Sequence, residues 1–203
     1  MSNIIECRVI RPKDRESVVK ATVEILFDSG VRLVNMHLLK PKAEGMDDRL
    51  KTPSVKTQTG AVIPAYNPIN QEIRIAMTEA AEQTLAEAVE AGKNDYTKVF
   101  CEMDPKDYIS PEYTNLRLHR FPDNNNPVRA VFSVTVNGAV NLNRIVIVKD
   151  PSTQMYVVRL PKFPLQNGRR SARYFRLPAE AYDKLYNMAM DIYTARPSEE
   201  ESA

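Results

Sequence analysis

Apolar and polar residues alternate in two stretches that repeat along the chain. Apolar side chains occupy alternate positions from Ala21 to Phe27, and do so again, 109 positions later, from Ala130 to Val136. Such alternation is typical of half-buried β-strands. A turn follows each stretch, at residues 28–30 and at residues 137–138, where Asn-Gly is a strong hairpin signal. The pattern therefore predicts one hairpin twice.

The second strand of each predicted hairpin has the same irregularity. Apolar residues lie at 31 and 33 and then at 36 and 38, so the alternation slips by one position. The second copy slips at the same place, between Leu142 and Ile145. A β-bulge would absorb the extra residue and keep both ends of the strand facing the core. We therefore predict a bulge in both hairpins.

Further strands are predicted on both sides of the hairpins. Strands are predicted at residues 7–11 and 115–120, before the hairpins. Residues 155–160 are predicted to form a further strand, whereas the counterpart segment, 46–50, is acidic and has a weak strand signal. Beyond a one-residue gap the offset becomes 108. This offset aligns Pro53, Gly60 and Tyr66 with Pro161, Gly168 and Tyr174.

Each copy closes with a predicted helix. Asn70 is the predicted N-cap of the first helix and Gly92 its stop, while Pro178 suits the first helical position of the second. Ile192 is among the apolar residues that recur at helical spacing in the second helix.

These elements predict an α+β protein built by tandem duplication. We expect two copies of a small antiparallel β-sheet with a C-terminal helix, arranged as a pseudo-symmetric pair. We assign residues 1–92 to repeat 1, 93–112 to a polar linker, 113–196 to repeat 2 and 197–203 to a disordered acidic tail.

Composition narrows the class of protein. The 203 residues are 43% hydrophobic and 27% charged, as in an ordinary soluble domain. No run of about 18 apolar residues and no signal-peptide pattern is present, so we expect a cytoplasmic protein without a membrane partner. Cys7 and Cys101 do not correspond in the repeat, and no disulfide framework is expected.

Charge separates the two halves. Residues 1–91 carry 12 Lys and Arg against 13 Asp and Glu, whereas residues 113–203 carry 13 against eight. Residues 159–176 contain no acid, and the interleaved aromatics Phe163, Tyr174 and Phe175 offer rings for base stacking, although at least one of them is expected to be buried. The cations of this segment are Arg159, Lys162, Arg169, Arg170, Arg173 and Arg176. They favour phosphate binding over the alternative of a solvated basic hairpin.

Catalytic and metal-binding patterns are absent from the sequence. His37 and His119 do not correspond in the repeat, and neither belongs to a His-x-His or Cys-x-x-Cys ligand pattern. Isolated glycines exclude a glycine-rich phosphate loop. We expect a protein that is not an enzyme and that needs no cofactor or metal.

The motifs resemble the stage V sporulation protein G (SpoVG) family of bacterial septation regulators. Repeat 1 has Lys20-Ala21 at its hairpin strand, Pro53-Ser54-Val55-Lys56-Thr57-Gln58-Thr59-Gly60 in a basic loop, and Pro68-Ile69-Asn70 before its helix. Repeat 2 keeps Arg129-Ala130 and the strand at 155–160, but it lacks the Ser-x-Lys-Thr element of the loop and has Arg176-Leu177-Pro178 before its helix.

This resemblance implies a non-catalytic regulator, in sporulation or septation, that binds DNA or RNA and dimerises through its sheets. It makes Lys51, Lys56 and Arg74 secondary candidates for nucleic-acid contacts, beside the stronger site in repeat 2. A tandem chain would build the pair internally, as an intrachain pseudo-dimer, although a homodimer of tandem chains stays open. The alternative function is a protein-interaction module that acts through sheet edges or the acidic helix of repeat 1.

Overall fold

The computed structural model describes residues 3–14, 16–43, 47–57, 60–122, 127–165 and 170–195, which form an α+β fold with antiparallel sheets and two helices. Repeat 1 contains β1 (Ile4–Ile10), β2 (Val19–Phe27), β3 (Arg32–Leu39), β4 (Arg49–Lys51), β5 (Ser54–Lys56), β6 (Val62–Pro64), β7 (Tyr66–Pro68) and α1 (Gln71–Glu90). The segment after α1 contains β8 (Asp95–Val99) and a 3₁₀ turn (Pro105–Asp107). Repeat 2 contains β9 (Tyr113–Arg120), β10 (Val128–Val136), β11 (Val140–Lys149), β12 (Tyr156–Arg159), β13 (Lys162–Pro164), β14 (Ser171–Arg173), β15 (Phe175–Arg176) and α2 (Ala179–Thr194).

Two antiparallel sheets carry most of the core. The first sheet has the strand order β15-β3-β2-β1-β8, with β4 also paired to β3. The second sheet has the order β12-β11-β10-β9, with β7 also paired to β11. The hairpins β5–β6 and β13–β14 form two small separate sheets.

Each sheet receives a short strand from the other repeat. The strand β7 of repeat 1 pairs with β11, where Tyr66 lies opposite Leu142, and β15 of repeat 2 pairs with β3, where Phe175 lies opposite Leu33. The rings of Tyr66 and Phe175 are fully buried and meet edge-to-face with centroids 6.5 Å apart. The two repeats therefore share one continuous core at this junction.

The register of these crossing strands corrects the alignment of Tyr66 with Tyr174. Tyr66 corresponds to Phe175, at an offset of 109, because their partners Leu142 and Leu33 are also 109 positions apart. The predicted one-residue gap is present before β4 and β12, where the offset between the repeats becomes 108. The connection from β13 to β14 is then one residue longer than the connection from β5 to β6, and this extra residue restores the offset of 109.

Both predicted bulges are confirmed. Register shifts separate Val23 from Ile25 opposite β3, and Phe132 from Val134 opposite β11. Asn35 and Arg144, which are equivalent positions of the repeat, have φ values of 65° and 60°.

The bulges also take part in the junction between the repeats. Beside them, the backbone N–H of Val34 donates to the carbonyl of Tyr174 at 3.0 Å, and that of Asn143 donates to Ala65 at 2.9 Å. Each bulge thus turns a backbone donor towards the strand that crosses from the other repeat.

The helix ends agree with the sequence in repeat 1 and differ in repeat 2. Asn70 caps α1, because its Oδ1 accepts a hydrogen bond from the N–H of Ile73 at 2.9 Å. Pro178 is the N-cap of α2 rather than its first helical residue, and it makes no side-chain capping bond. Ile192, predicted in the apolar stripe of α2, is exposed.

Two connections differ from their predictions. The second hairpin was predicted to have a two-residue turn, but three residues, 137–139, connect its strands, since Val136 pairs with Val140. Asn137 and Gly138 do have the positive φ angles that an Asn-Gly turn requires. The segment predicted to be a linker contains β8, which pairs with β1 and extends the first sheet. Its residues are alternately exposed and half-buried, which suits an edge strand with one solvated side.

Candidate nucleic-acid interface

The hairpin β13–β14 presents basic side chains on one face. Lys162 lies directly opposite Arg173, and both side chains are exposed. Arg170 is exposed at the end of the hairpin, where its carbonyl accepts a hydrogen bond from the N–H of Leu165 at 2.9 Å. The predicted contact Arg169 lies outside the described residues. Lys162 and Arg173 form an exposed cationic pair that phosphates can reach, and Arg170 adds a third exposed cation at the other end of the hairpin.

The aromatic residues of this segment serve the core rather than the surface. Tyr174 and Phe175 are buried, and the half-buried ring of Phe163 packs on Tyr174 with centroids 4.9 Å apart. Burial raises the pKa of Tyr174. The expectation that at least one aromatic is buried is confirmed, and Tyr174 and Phe175 offer no open ring face for base stacking.

Arg159 and Arg176 lie on strands other than those of the hairpin β13–β14. Arg159 is exposed on β12 opposite Val146, and Arg176 is exposed on β15 opposite Arg32 of repeat 1. Burial raises the pKa of the Tyr182 hydroxyl, and the positive charge of nearby Arg173 partly opposes this rise.

The candidates in repeat 1 fall into two places. Arg74, in the first turns of α1, and Lys51, on β4, line a cleft of about 310 Å³ together with Arg49. An adjoining cleft of about 850 Å³ is also lined by acids, Asp47, Asp48, Glu79 and Glu82. Lys56 is exposed on the separate hairpin β5–β6. The acids beside Arg74 make this a poorer site for an anion than the hairpin of repeat 2.

Ion pairs neutralise the outer face of the first sheet, the face turned away from α1. Arg8 makes a bidentate contact with Asp95 of β8, at 2.8 and 2.6 Å, and lies 3.8 Å from Glu24. Arg32 contacts Glu6 at 2.6 Å and Glu24 at 3.9 Å. These pairs join β1, β2, β3 and β8 in one network.

Among the described residues, the corresponding face of the second sheet has no counterpart of this network. The strands β9, β10, β11 and β12 contain no Asp or Glu. In the repeat, Arg8 corresponds to Arg117, whereas Glu6 and Glu24 correspond to Asn115 and Ser133. Within the described residues, none of the following makes an ion pair: Arg117, Arg159, Lys162, Arg170, Arg173 and Arg176.

Sequence reasoning missed Arg117 and Arg144. Arg117 lies opposite Ser133, and Arg144 belongs to the bulge of β11 and has a buried Nε without a hydrogen-bond partner in the described part of the chain. The signal was available for Arg117, because the offset of 109 pairs it with an arginine while the acids around that arginine are replaced.

Burial shifts the pKa of two potentially reactive side chains in the described part of the chain. Burial raises the pKa of the Cys7 thiol to about 11, which keeps it protonated and unreactive. Burial, followed by the charge of Lys51, lowers the pKa of His37. No group of three or more His, Cys, Asp or Glu side chains in the described ranges is placed to hold a metal ion.

The chain matches no family model, no curated protein and no solved structure. No helix among the described residues is long and apolar enough to cross a membrane.

Proposed function

We propose that this protein is a non-catalytic regulator that binds the phosphate backbone of DNA or RNA, mainly through the basic hairpin β13–β14 of repeat 2. The observation that carries the proposal is the exposure of Lys162, Arg170 and Arg173 without ion-pair partners among the described residues. Exposed cations that are not neutralised bind phosphates by releasing counterions. The resemblance of the motifs to SpoVG proteins supports the same conclusion, as does the excess of positive charge in repeat 2.

The proposal includes the arrangement of the repeats. We propose that they form an intrachain pseudo-symmetric pair that replaces the dimer of single-copy proteins. The reciprocal pairing of β7 with β11 and of β15 with β3 supports this arrangement, because each repeat completes the sheet edge of the other. A mass in solution near 23.1 kDa would agree with the internal pair, whereas twice that mass would indicate a dimer of tandem chains.

Salt dependence tests the proposed binding mode. If about four phosphates are contacted, affinity for an oligonucleotide should fall roughly 100-fold between about 50 and 200 mM salt. The double variant Arg170→Ala with Arg173→Ala should weaken binding and flatten this dependence. Lys13→Ala with Lys42→Ala is the charge-matched control, since both lysines are exposed in repeat 1 away from the hairpin. Equal effects of the two double variants would contradict the proposed site.

One observation favours a second function, in protein interaction. The strand β9 is the last strand of its sheet in the described structure, whereas β8 covers the equivalent edge of β1. An uncovered edge can receive a strand from a partner. A partner that stays bound at high salt and after nuclease treatment would support this alternative.

A further inference from the structure

A polar cleft of about 470 Å³ lies on the outer face of the second sheet, beside the junction of the repeats. Its volume is within the usual range for small-molecule sites. Amide, hydroxyl and guanidinium groups line it, and no carboxylate does. The polar residues at its wall are Asn115, Arg117, Ser133, Thr135, Asn141 and Asn143.

The same place in repeat 1 is occupied by an ion-pair network. There Arg32 reaches Glu6 at 2.6 Å, and Glu24 lies within 4 Å of both Arg8 and Arg32. In repeat 2 the corresponding residues are shorter and uncharged except for Arg117, so no acid occupies this space. The backbone also differs there, because Asn115 lies in a bulge of β9 with a φ of 52°.

Hydrogen bonds hold the amides of the cleft in place. The hydroxyl of Thr135 donates to Oδ1 of Asn141 at 2.7 Å, and Nδ2 of Asn143 donates to the carbonyl of Pro64 at 3.1 Å and to Oδ1 of Asn67 at 2.9 Å. These bonds leave Nδ2 of Asn141 as a donor and Oδ1 of Asn143 as an acceptor without partners in the described structure. The wall therefore offers both kinds of group, already oriented.

We propose that this cleft binds one unpaired nucleotide, with its phosphate on Arg117 and the edge of its base on the amides of Asn141 and Asn143. A guanidinium without an acid partner suits a phosphate, and a neighbouring amide donor and acceptor suit a base edge. The edge is accessible only in a single strand, where it is free of its pairing partner. The inference rests on the proposed nucleic-acid function and adds to it a preference for unpaired segments.

Mononucleotides test the cleft without the rest of a strand. Nucleoside 5′-monophosphates titrated into the full chain should shift the amide NMR signals of Asn115, Arg117 and Asn141, with a Kd of about 1 mM or tighter. Arg117→Gln should weaken this binding at least tenfold. The matched control is Arg8→Gln, at the equivalent and ion-paired position of repeat 1, which should leave the affinity unchanged.

Two probes separate base recognition from simple anion binding. Asn141→Ala should weaken binding of the nucleotide several-fold and leave binding of inorganic phosphate unchanged. Inorganic phosphate that binds the wild-type chain as tightly as the nucleotide does would overturn the proposal, as would a nucleotide that shifts no signal of the cleft.

Oligonucleotide and mononucleotide binding together distinguish an error in the cleft proposal from an error in the hairpin proposal. Arg170→Ala with Arg173→Ala should weaken binding of a long oligonucleotide and leave the mononucleotide affinity unchanged, because neither arginine lines the cleft. Salt-dependent oligonucleotide binding without any mononucleotide binding would overturn the cleft and retain the hairpin.

Discussion

The outer faces of the two sheets share the order of three strands, β3-β2-β1 and β11-β10-β9, and differ in charge. On the first sheet Arg8 lies between Glu24 and Asp95, whereas the equivalent Arg117 lies opposite Ser133. Exposed ion pairs contribute only about 0–1 kcal/mol each, so replacing their acids removes little stability. The two sheets therefore match in their buried positions, where substitutions are costly, and differ in their surface charge, where substitutions cost little.

The largest effect should come from the junction that both sheets share. Phe175→Ala should lower the free energy of unfolding by about 3–5 kcal/mol, because it leaves a cavity in a fully buried site against Tyr66. Urea unfolding measures this loss.

The control for this position is Tyr66→Phe, which keeps the ring and removes only the hydrogen bond to the carbonyl of Val34 at 2.6 Å. It should lower the stability by only about 1 kcal/mol. A loss below that value for Phe175→Ala would show that the two repeats do not depend on this shared core.

The hairpin glycines should differ between the repeats. A Cβ at Gly30 would lie 2.5 Å from both Cγ of Pro178 and Cδ2 of Tyr108, at a φ of +73°. At Gly138, with a φ of +59°, it would meet nothing within 4 Å. Both alanine variants carry the left-handed strain of about 1–2 kcal/mol, and only Gly30→Ala adds overpacking of about 1–3 kcal/mol.

Thermal or urea unfolding of the two glycine variants measures this difference. If Gly138→Ala were as destabilising as Gly30→Ala, the close packing of Pro178 and Tyr108 at the first hairpin would be contradicted.

Grafting the acid of repeat 1 onto repeat 2 tests the charge comparison directly. Ser133→Glu should place a carboxylate opposite Arg117 and lower nucleotide affinity at least tenfold, while the free energy of unfolding changes by less than about 1 kcal/mol. Titration followed by NMR, with urea unfolding as the companion measurement, gives both values. Ser133→Gln is the control, because it adds similar bulk without charge. Equal losses for Glu and Gln would attribute the effect to crowding of the cleft.

The sequence predicted those elements whose signal is local. The hairpins and both bulges follow from the phase of apolar residues along one strand, so Leu33 and Met36 are enough to indicate the slip. The crossing strands β7 and β15 did not follow, because two or three residues carry no period and their partners lie in the other repeat. The edge strand β8 was missed because its polar composition resembles that of a connection.

The site was predicted in the same uneven way. A run of cations is visible in the sequence, which is why Lys162, Arg170 and Arg173 were candidates, and the structure shows these three side chains to be exposed. The cleft around Arg117 combines residues of the three strands β9, β10 and β11, and its distinguishing property is the absence of acids that its counterpart has. At Arg117 that property can be read from the sequence by comparing equivalent positions of the repeats, but the side chains that share the cleft come together only in the structure.

The smallest effect concerns pH. Burial and the charge of Lys51 lower the pKa of His37, so the unfolded chain binds its proton more readily than the folded chain does. This histidine therefore contributes stability above its ordinary pKa of about 6.5 that is lost as pH falls through the folded value. Its equivalent, Val146, cannot titrate.

Replacing His37 by the residue of repeat 2 should remove this difference between the two sheets. His37→Val should gain stability over the wild type as pH falls from about 8 to 5, measured by urea unfolding across that range. Thr22→Val is the control, since Thr22 lies opposite His37, does not titrate and has the equivalent Val131 in repeat 2. If the stability difference between His37→Val and the wild type were constant with pH, burial would not lower the pKa of His37. The imidazole would then be solvated, and the outer face of the first sheet would be as accessible to water as that of the second.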